Sequence, residues 1–251
     1  MTAVAVLTER ILREGLHGDL PFAVLAPAGN FVIFNLALRN VIDTGGISYA
    51  QYLLPVILIQ VTLLGALTTV DRAAREHQSE LGVRLRTLPL SALTPLTARM
   101  TYCLFRAGIA LLATIGIGYV FGFRMIGGAG YQAAFVALVL IFTLALSLVS
   151  DAIGVWLSGA SIAKEGGTSQ VLLVPQLLLV MLSTGMAPVE SFPHWLHGFV
   201  QYQPVSLITA TLRQLASGEI AVGDIVSSLA WCIGLLLVCV ALAVRMQRRT
   251  Q

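Results

Sequence analysis

"MAPVESFPHWLHGFVQYQPVSLITATLRQLASG", residues 186–218, follows a long apolar run and carries one acid, Glu190, and one base, Arg213. Pro193 and Pro204 flank its aromatics and histidines. The stretch is too apolar for an ordinary loop and too interrupted to cross a bilayer. Phe192, Trp195, Leu196, Phe199 and Val200 follow i, i+3, i+4, i+7, i+8, one apolar stripe of a short helix. Ser191 can cap that helix, and Pro193 fits its first turn, where a missing N–H costs nothing. Pro204 ends it. A second piece aligns Ile208, Leu212 and Leu215, with Gly218 placed to terminate it. Two arrangements suit such a pair of helices: a re-entrant hairpin with its broken backbone buried, or two helices lying flat on the membrane surface.

Both arrangements need spans on either side, and the composition supplies them. Hydrophobic residues are 57% of the 251 and charged residues 11%, under half the ~25% usual in soluble domains. The apolar residues fall in blocks near the ~20 residues a membrane helix requires. Six spans are read at Leu20–Leu38, Leu53–Val70, Tyr102–Phe121, Ala133–Leu157, Val171–Met186 and Ile225–Val244. The expected fold class is all-α and polytopic, with no room for a large soluble domain. Cys103, Cys232 and Cys239 lie inside apolar blocks and read as packing residues. The N-terminus lacks the cleavage pattern of a signal peptide. There Val4, Leu7, Ile11 and Leu12 share a face opposite Glu9, Arg10, Arg13 and Glu14. That pattern suits a helix in the membrane surface over residues 1–19, or a plain solvated helix end.

Charge placement orients the spans. Arg10, Arg13, Arg72, Arg75, Arg84, Arg86, Arg99, Lys164, Arg245, Arg248 and Arg249 fall on one side, against Arg39, Arg124 and Arg213 on the other. By the positive-inside bias both termini are expected in the cytoplasm of a plasma-membrane protein. Tyr52, Tyr102, Tyr119, Tyr131 and Trp156 sit near expected span ends, as interfacial aromatics do. Arg106, a turn inside span three, is the base left over, and Asp151, late in span four, is the matching acid. A charge within the bilayer is expensive unless paired or wet. Either the two pair between antiparallel helices, or Arg106 reaches the headgroups and Asp151 faces a wet cavity. Asn30, Asn35, Gln60 and Gln176 are polar residues within spans; they suit helix-to-helix hydrogen bonds or the lining of a substrate path.

Motifs for chemistry are missing. The sequence has no G-x-x-x-x-G-K-[ST] and no H-E-x-x-H. "KEGGTS", residues 164–169, reads as a turn, and "GYVFG", residues 118–122, as a common membrane-helix pattern. His194 and His197 lack an evident third ligand, so no metal site is expected. No nucleic-acid partner is expected either. The informative polar stretch is "DRAAREHQSELGVRLRTLPLSALTPLTARM", residues 71–100. It begins as a polar continuation of span two, breaks at "TLPLS", and offers Ser91 as a cap for the helix entering span three. Its Leu81, Val83, Leu85, Leu88 and Leu90 suit docking on another protein or packing on the membrane.

These two stretches carry a resemblance. "RLRTLPLSALTPLTARM" after the second of six spans looks like the coupling segment of type 2 ATP-binding-cassette (ABC-2) permeases. "GMAPVESFPHWLHGFVQYQPVSLITATLRQL" matches their region after span five, with its P-x-x-x-x-P-x-W-L and Q-P-[VI]-S. The nearest likeness is to the daunorubicin-resistance permeases of actinobacteria, which export amphipathic drugs or, in mycobacteria, complex envelope lipids. The resemblance implies one ABC-2 transmembrane domain over 1–251, with a coupling loop at 71–100 and a re-entrant hairpin at 187–218. It implies a second permease subunit, identical or a sister, and two copies of a separate ATPase that holds ATP and magnesium, this chain binding no cofactor. Coupling would fall to Glu80, Leu81, Val83, Arg84, Leu85, Arg86, Leu88, Pro89 and Leu90. The outward gate would comprise Pro188, Phe192, Pro193, Trp195, Leu196, Phe199, Gln203 and Pro204. The expected function is a permease, not an enzyme, exporting a hydrophobic or amphipathic compound. A membrane enzyme acting on lipid would need clustered His, Asp or Glu near an interface, and Asp151 has no histidine partner in the spans. A non-catalytic scaffold would leave the amphipathic loops unexplained.

Overall fold

The computed structural model describes residues 3–16, 18–38, 48–79, 93–158, 168–186, 189–219 and 222–247. Among them every regular element is helical: α1 (Ala3–Leu16), α2 (Asp19–Leu38), α3 (Tyr49–Gln78), α4 (Leu93–Val120), α5 (Ala129–Leu157), α6 (Thr168–Met181), α7 (His197–Tyr202), α8 (Pro204–Ser217) and α9 (Val222–Gln247), with two single 3-10 turns before α7. Among the described residues four helices are long and apolar enough to cross a membrane, Asp19–Ala37, Tyr49–Gln78, Thr94–Val120 and Ala129–Leu157. Leu172–Met181 and Gly223–Leu237 are apolar but shorter. The chain is membrane-embedded.

α3 forms the axis of the bundle and packs against α2, α4, α5, α6 and α8. Its consecutive Leu53, Leu54, Pro55, Val56, Ile57, Leu58 and Ile59 are all buried, the mark of a helix enclosed on every side. Ser48 caps it, its hydroxyl accepting from the Gln51 N–H at 3.3 Å. The helix outruns the expected span Leu53–Val70 because "DRAAREHQ" is polar yet rich in good helix formers. α5 is its broadest neighbour and contributes Phe135, Leu138, Val139 and Phe142 to the shared core. Gly154 permits the closest approach: a Cβ there would lie 2.4 Å from the Val70 carbonyl oxygen. α2 and α6 behave oppositely, turning Leu25 and Ile33, and Val174 and Leu177, outward.

α1 packs on α4 and α2. Leu7, Ile11 and Leu12 are half-buried while Glu9, Arg10, Arg13 and Glu14 are exposed, as the amphipathic pattern requires. Arg10–Glu14 at 2.9 Å and Arg13–Glu9 at 2.7 Å link successive turns.

Residues 189–219 divide differently from the sequence expectation. The stripe from Phe192 to Val200 does not form one helix. Val189–Ser191 and His194–Leu196 are 3-10 turns, Pro193 stands between them, and only then does α7 begin. Of the stripe, Val200 alone is buried, whereas Trp195 and Phe199 face outward. Pro193 near the start of the stripe and Pro204 just after it leave too short a run for a continuous helix. α8 matches its reading: Pro204 opens it, Ile208, Leu212 and Leu215 are buried, and Gly218 ends it at φ 80°. That buried face packs α8 against α3, α5 and α9.

Candidate functional site

Two polar knots fasten opposite ends of α3. At the charged end, Asp19 stands in the first turn of α2, where the helix dipole favours a carboxylate. Its Oδ1 accepts from Arg106 Nε at 3.0 Å and its Oδ2 from the Tyr102 hydroxyl at 2.8 Å. Arg72 Nη2 lies 3.7 Å from Asp19 Oδ2, with its guanidinium 4.3 Å above the Tyr102 ring. Gly65 makes room on α3, since a Cβ there would come within 2.7 Å of Arg106 Nη1. A void of about 20 Å³ beside Arg106, lined in part by Thr62, Thr143 and Ser147, has the size of a single water.

A second unit stands beside it. Arg99 Nη1 donates to Glu76 Oε2 at 2.9 Å, and the same guanidinium meets both oxygens of Asp151, Nε–Oδ1 at 2.6 Å and Nη2–Oδ2 at 3.0 Å. One arginine of α4 thereby ties α3 to α5. Further along, Ser158 Oγ lies 3.1 Å from His77 Nδ1, and Asp71 accepts from the Ser169 N–H at 2.8 Å. The expected Arg106–Asp151 pair is not formed. Arg106 turns to α2 and Asp151 to Arg99, so each buried charge meets an opposite charge on a different neighbour.

The opposite end holds a buried arginine by other means. Arg213 of α8 donates from Nε and Nη2 to the Tyr52 carbonyl, each at 3.1 Å, from Nη1 to Thr184 O at 3.2 Å, and from Nη2 to Gly185 O at 3.0 Å. Its guanidinium also sits 3.6 Å from the centre of the Tyr52 ring. The Tyr52 hydroxyl donates to Thr184 O at 3.0 Å. Gln203 Nε2 donates to Leu182 O at 2.6 Å, and the Thr184 N–H donates to Ser206 Oγ at 3.0 Å. Thr211 and Ser228 hydroxyls meet at 2.7 Å, joining α8 to α9. The start of α3, the turn after α6, α8 and α9 are thus laced together.

Placed against this geometry, the sequence-expected residues separate. Glu80, Leu81, Val83, Arg84, Leu85, Arg86, Leu88, Pro89 and Leu90 lie outside the described residues, as does Pro188. Gln203 belongs to the knot around Arg213 and Pro204 opens α8 beside it, whereas Phe192 and Pro193 lie between the two 3-10 turns, Trp195 and Leu196 on the second turn and Phe199 on α7. Asn35 is buried, and Asn30 and Gln60 are half-buried. With its amide oriented to donate to Leu63 O and accept from the Leu64 N–H, both at 3.2 Å, Gln176 joins α6 to α3. Asp19, Arg99, Tyr102 and Arg213 were not singled out by sequence. The available signals were an acid at the first turn of a span and a lone base in residues 186–218.

Among the described residues no group of three or more His, Cys, Asp and Glu could hold a metal. His194 and His197 have ring centres 4.8 Å apart, and His197 Nε2 lies 2.7 Å from Phe192 O. What the arrangement can do is mechanical. Glu76 and Arg99 lie on either side of residues 80–92 along the chain, and with Asp151 they join α3, α4 and α5.

Residues 34–245 match the family described as ABC-2 family transporter protein. The chain is 28% identical over 232 residues to the probable doxorubicin resistance ABC transporter permease protein DrrC of Mycobacterium tuberculosis, covering 90% of this chain and 80% of that one. It is 31% identical over 219 residues to the doxorubicin resistance ABC transporter permease protein DrrB of the same organism, covering 80% and 71%. It is 27% identical over 226 residues to the daunorubicin resistance ABC transporter permease protein DrrB1 of Streptomyces coeruleorubidus, covering 90% and 78%. This bundle of apolar helices, matched by the family over residues 34–245, belongs to the ABC-2 transporter family.

Proposed function

We propose that the chain is the permease subunit of an exporter that moves a hydrophobic or amphipathic compound across the plasma membrane. ATP is hydrolysed on a separate subunit, present in two copies, and a second permease, a copy or a sister, completes the pathway. The chain crosses the membrane six times, α6 and α9 being the fifth and sixth crossings, with both termini and the charged knot in the cytoplasm. The drug-resistance names of the relatives support this substrate class.

Closure of the ATPase pulls on residues 81–90 and tilts α3 against α4. The observation that carries this reading is the Glu76–Arg99–Asp151 bridge, which spans both roots of that segment and reaches α5. Residues 187–218 dip back from the outer surface and close the outward end. The buried face of α8 against α3, α5 and α9 supports re-entry, and the carbonyl-held Arg213 supports a closed gate. The substrate passes between subunits along α2, α3 and α6.

Leu85→Asp and Leu88→Asp place a charge in the docking segment. In membrane vesicles containing both subunits, each variant is expected to abolish ATP-dependent accumulation of doxorubicin, used as a fluorescent amphipathic probe, while the permease is made at normal levels. Normal accumulation by either variant would count against docking through this segment.

A further inference from the structure

Between α1 and α3 lies a cleft of about 320 Å³, lined by Leu7, Arg10, Ile11 and Glu14 from one helix and Arg72, Arg75, Glu76 and Ser79 from the other. We propose that this cleft binds a phosphate group, that of an anionic lipid headgroup at the inner membrane surface. Both carboxylates in its wall are already engaged, Glu14 by Arg10 at 2.9 Å and Glu76 by Arg99 at 2.9 Å. Arg72 is incompletely compensated. Among the described residues its only near acid, Asp19, is 3.7 Å away and is shared with Arg106, and its buried Nη1 has no hydrogen-bond partner. Arg75 is exposed at the mouth. Among the described residues the wall of the cleft carries three arginines, Arg10, Arg72 and Arg75, against two carboxylates, Glu14 and Glu76, so its lining bears one positive charge in excess. Guanidinium forks match phosphate oxygens in geometry as well as charge. Leu7 and Ile11 offer the same cleft an apolar wall for the glycerol and upper acyl carbons, as an interfacial helix does.

The inner-leaflet source rests on the orientation proposed above, whereas the phosphate site rests on the cleft alone. Binding is therefore measured on the purified chain in neutral detergent, where neither orientation nor transport matters. Phosphatidylglycerol is titrated and counted by native mass spectrometry, with phosphatidylcholine and inorganic phosphate in parallel. Phosphatidylglycerol is expected to bind saturably and more tightly than phosphatidylcholine. Arg75→Gln should weaken it about fivefold, the worth of one basic residue at an anionic surface, and Arg75→Lys should retain part of the affinity. Arg72→Gln is expected to weaken it as well, but it also disturbs Asp19, so the exposed Arg75 decides. Arg124→Gln, at the other end of the bundle, is expected to change nothing. Equal binding of the two lipids, or unchanged affinity in Arg75→Gln, would overturn the site. Displacement of phosphatidylglycerol by millimolar inorganic phosphate would overturn the lipid assignment and leave a free-phosphate site.

Discussion

Two arginines are held at the two ends of this bundle, and they are held differently. Arg106 meets a carboxylate, Asp19, and shares it with Tyr102 and Arg72. Arg213 meets no carboxylate in its shell of three backbone carbonyls and one aromatic face. The first is a charge joint between side chains of α2, α3 and α4. The second is a main-chain joint, dependent on carbonyls where the chain turns after α6 and in the first turn of α3. A charge joint is sensitive to losing either partner, because the survivor is stranded in a medium of low dielectric. A carbonyl joint is shared among several weaker acceptors and yields more gradually.

Removing the acid is expected to have the largest effect. Asp19→Asn leaves Arg106 buried and uncompensated, at a cost of about 3–5 kcal/mol in stability. Thermal unfolding in detergent should show it, and Asp19→Leu combined with Arg106→Met should recover most of the loss. If the double variant is no better than Asp19→Asn, the joint is not the source of the effect. Arg213→Met comes next, at about 2–3 kcal/mol for the loss of hydrogen bonds from a charged donor. Limited proteolysis should show it locally, with faster cutting around residues 184–203 and unchanged protection of α4. Uniform loosening of both ends would erase the distinction between the joints. Gly154→Ala is the smallest, about 1–3 kcal/mol from overpacking, because the added methyl meets the Val70 backbone and Ala73 Cβ. Read by thermal unfolding, it tests contact between α3 and α5 near the charged end without touching a charge.

Much of the framework was legible in the sequence for a simple reason. Burial in lipid or in a membrane core selects apolar residues in long runs, and α3, α4 and α5 advertise themselves accordingly. The terminated second half of residues 186–218 was legible too, because Ile208, Leu212 and Leu215 recur with the helical period and Gly218 supplies the left-handed cap. The partner of Arg106 was not. Periodicity places a charge on a face but says nothing about which neighbour comes near, and Asp151 matched in depth while Asp19 lay at a segment boundary. Arg99 was hidden differently, counted among the basic residues that orient the spans, although it is mostly buried between two carboxylates. The aromatic stripe from Phe192 misled because spacing cannot distinguish an α-helix from two 3-10 turns broken by proline. Arg213 drew notice only as a base on the minority side. Its carbonyl partners are main-chain groups that no residue name reveals.

In the proposed exporter, segment 80–92 faces the cytoplasm, where a separate ATPase can grip it. A single cysteine introduced at Arg84, in a chain otherwise free of cysteine, tests this with a membrane-impermeant maleimide. Labelling only in inside-out vesicles is the predicted result; labelling of Arg84→Cys on intact cells would contradict the account.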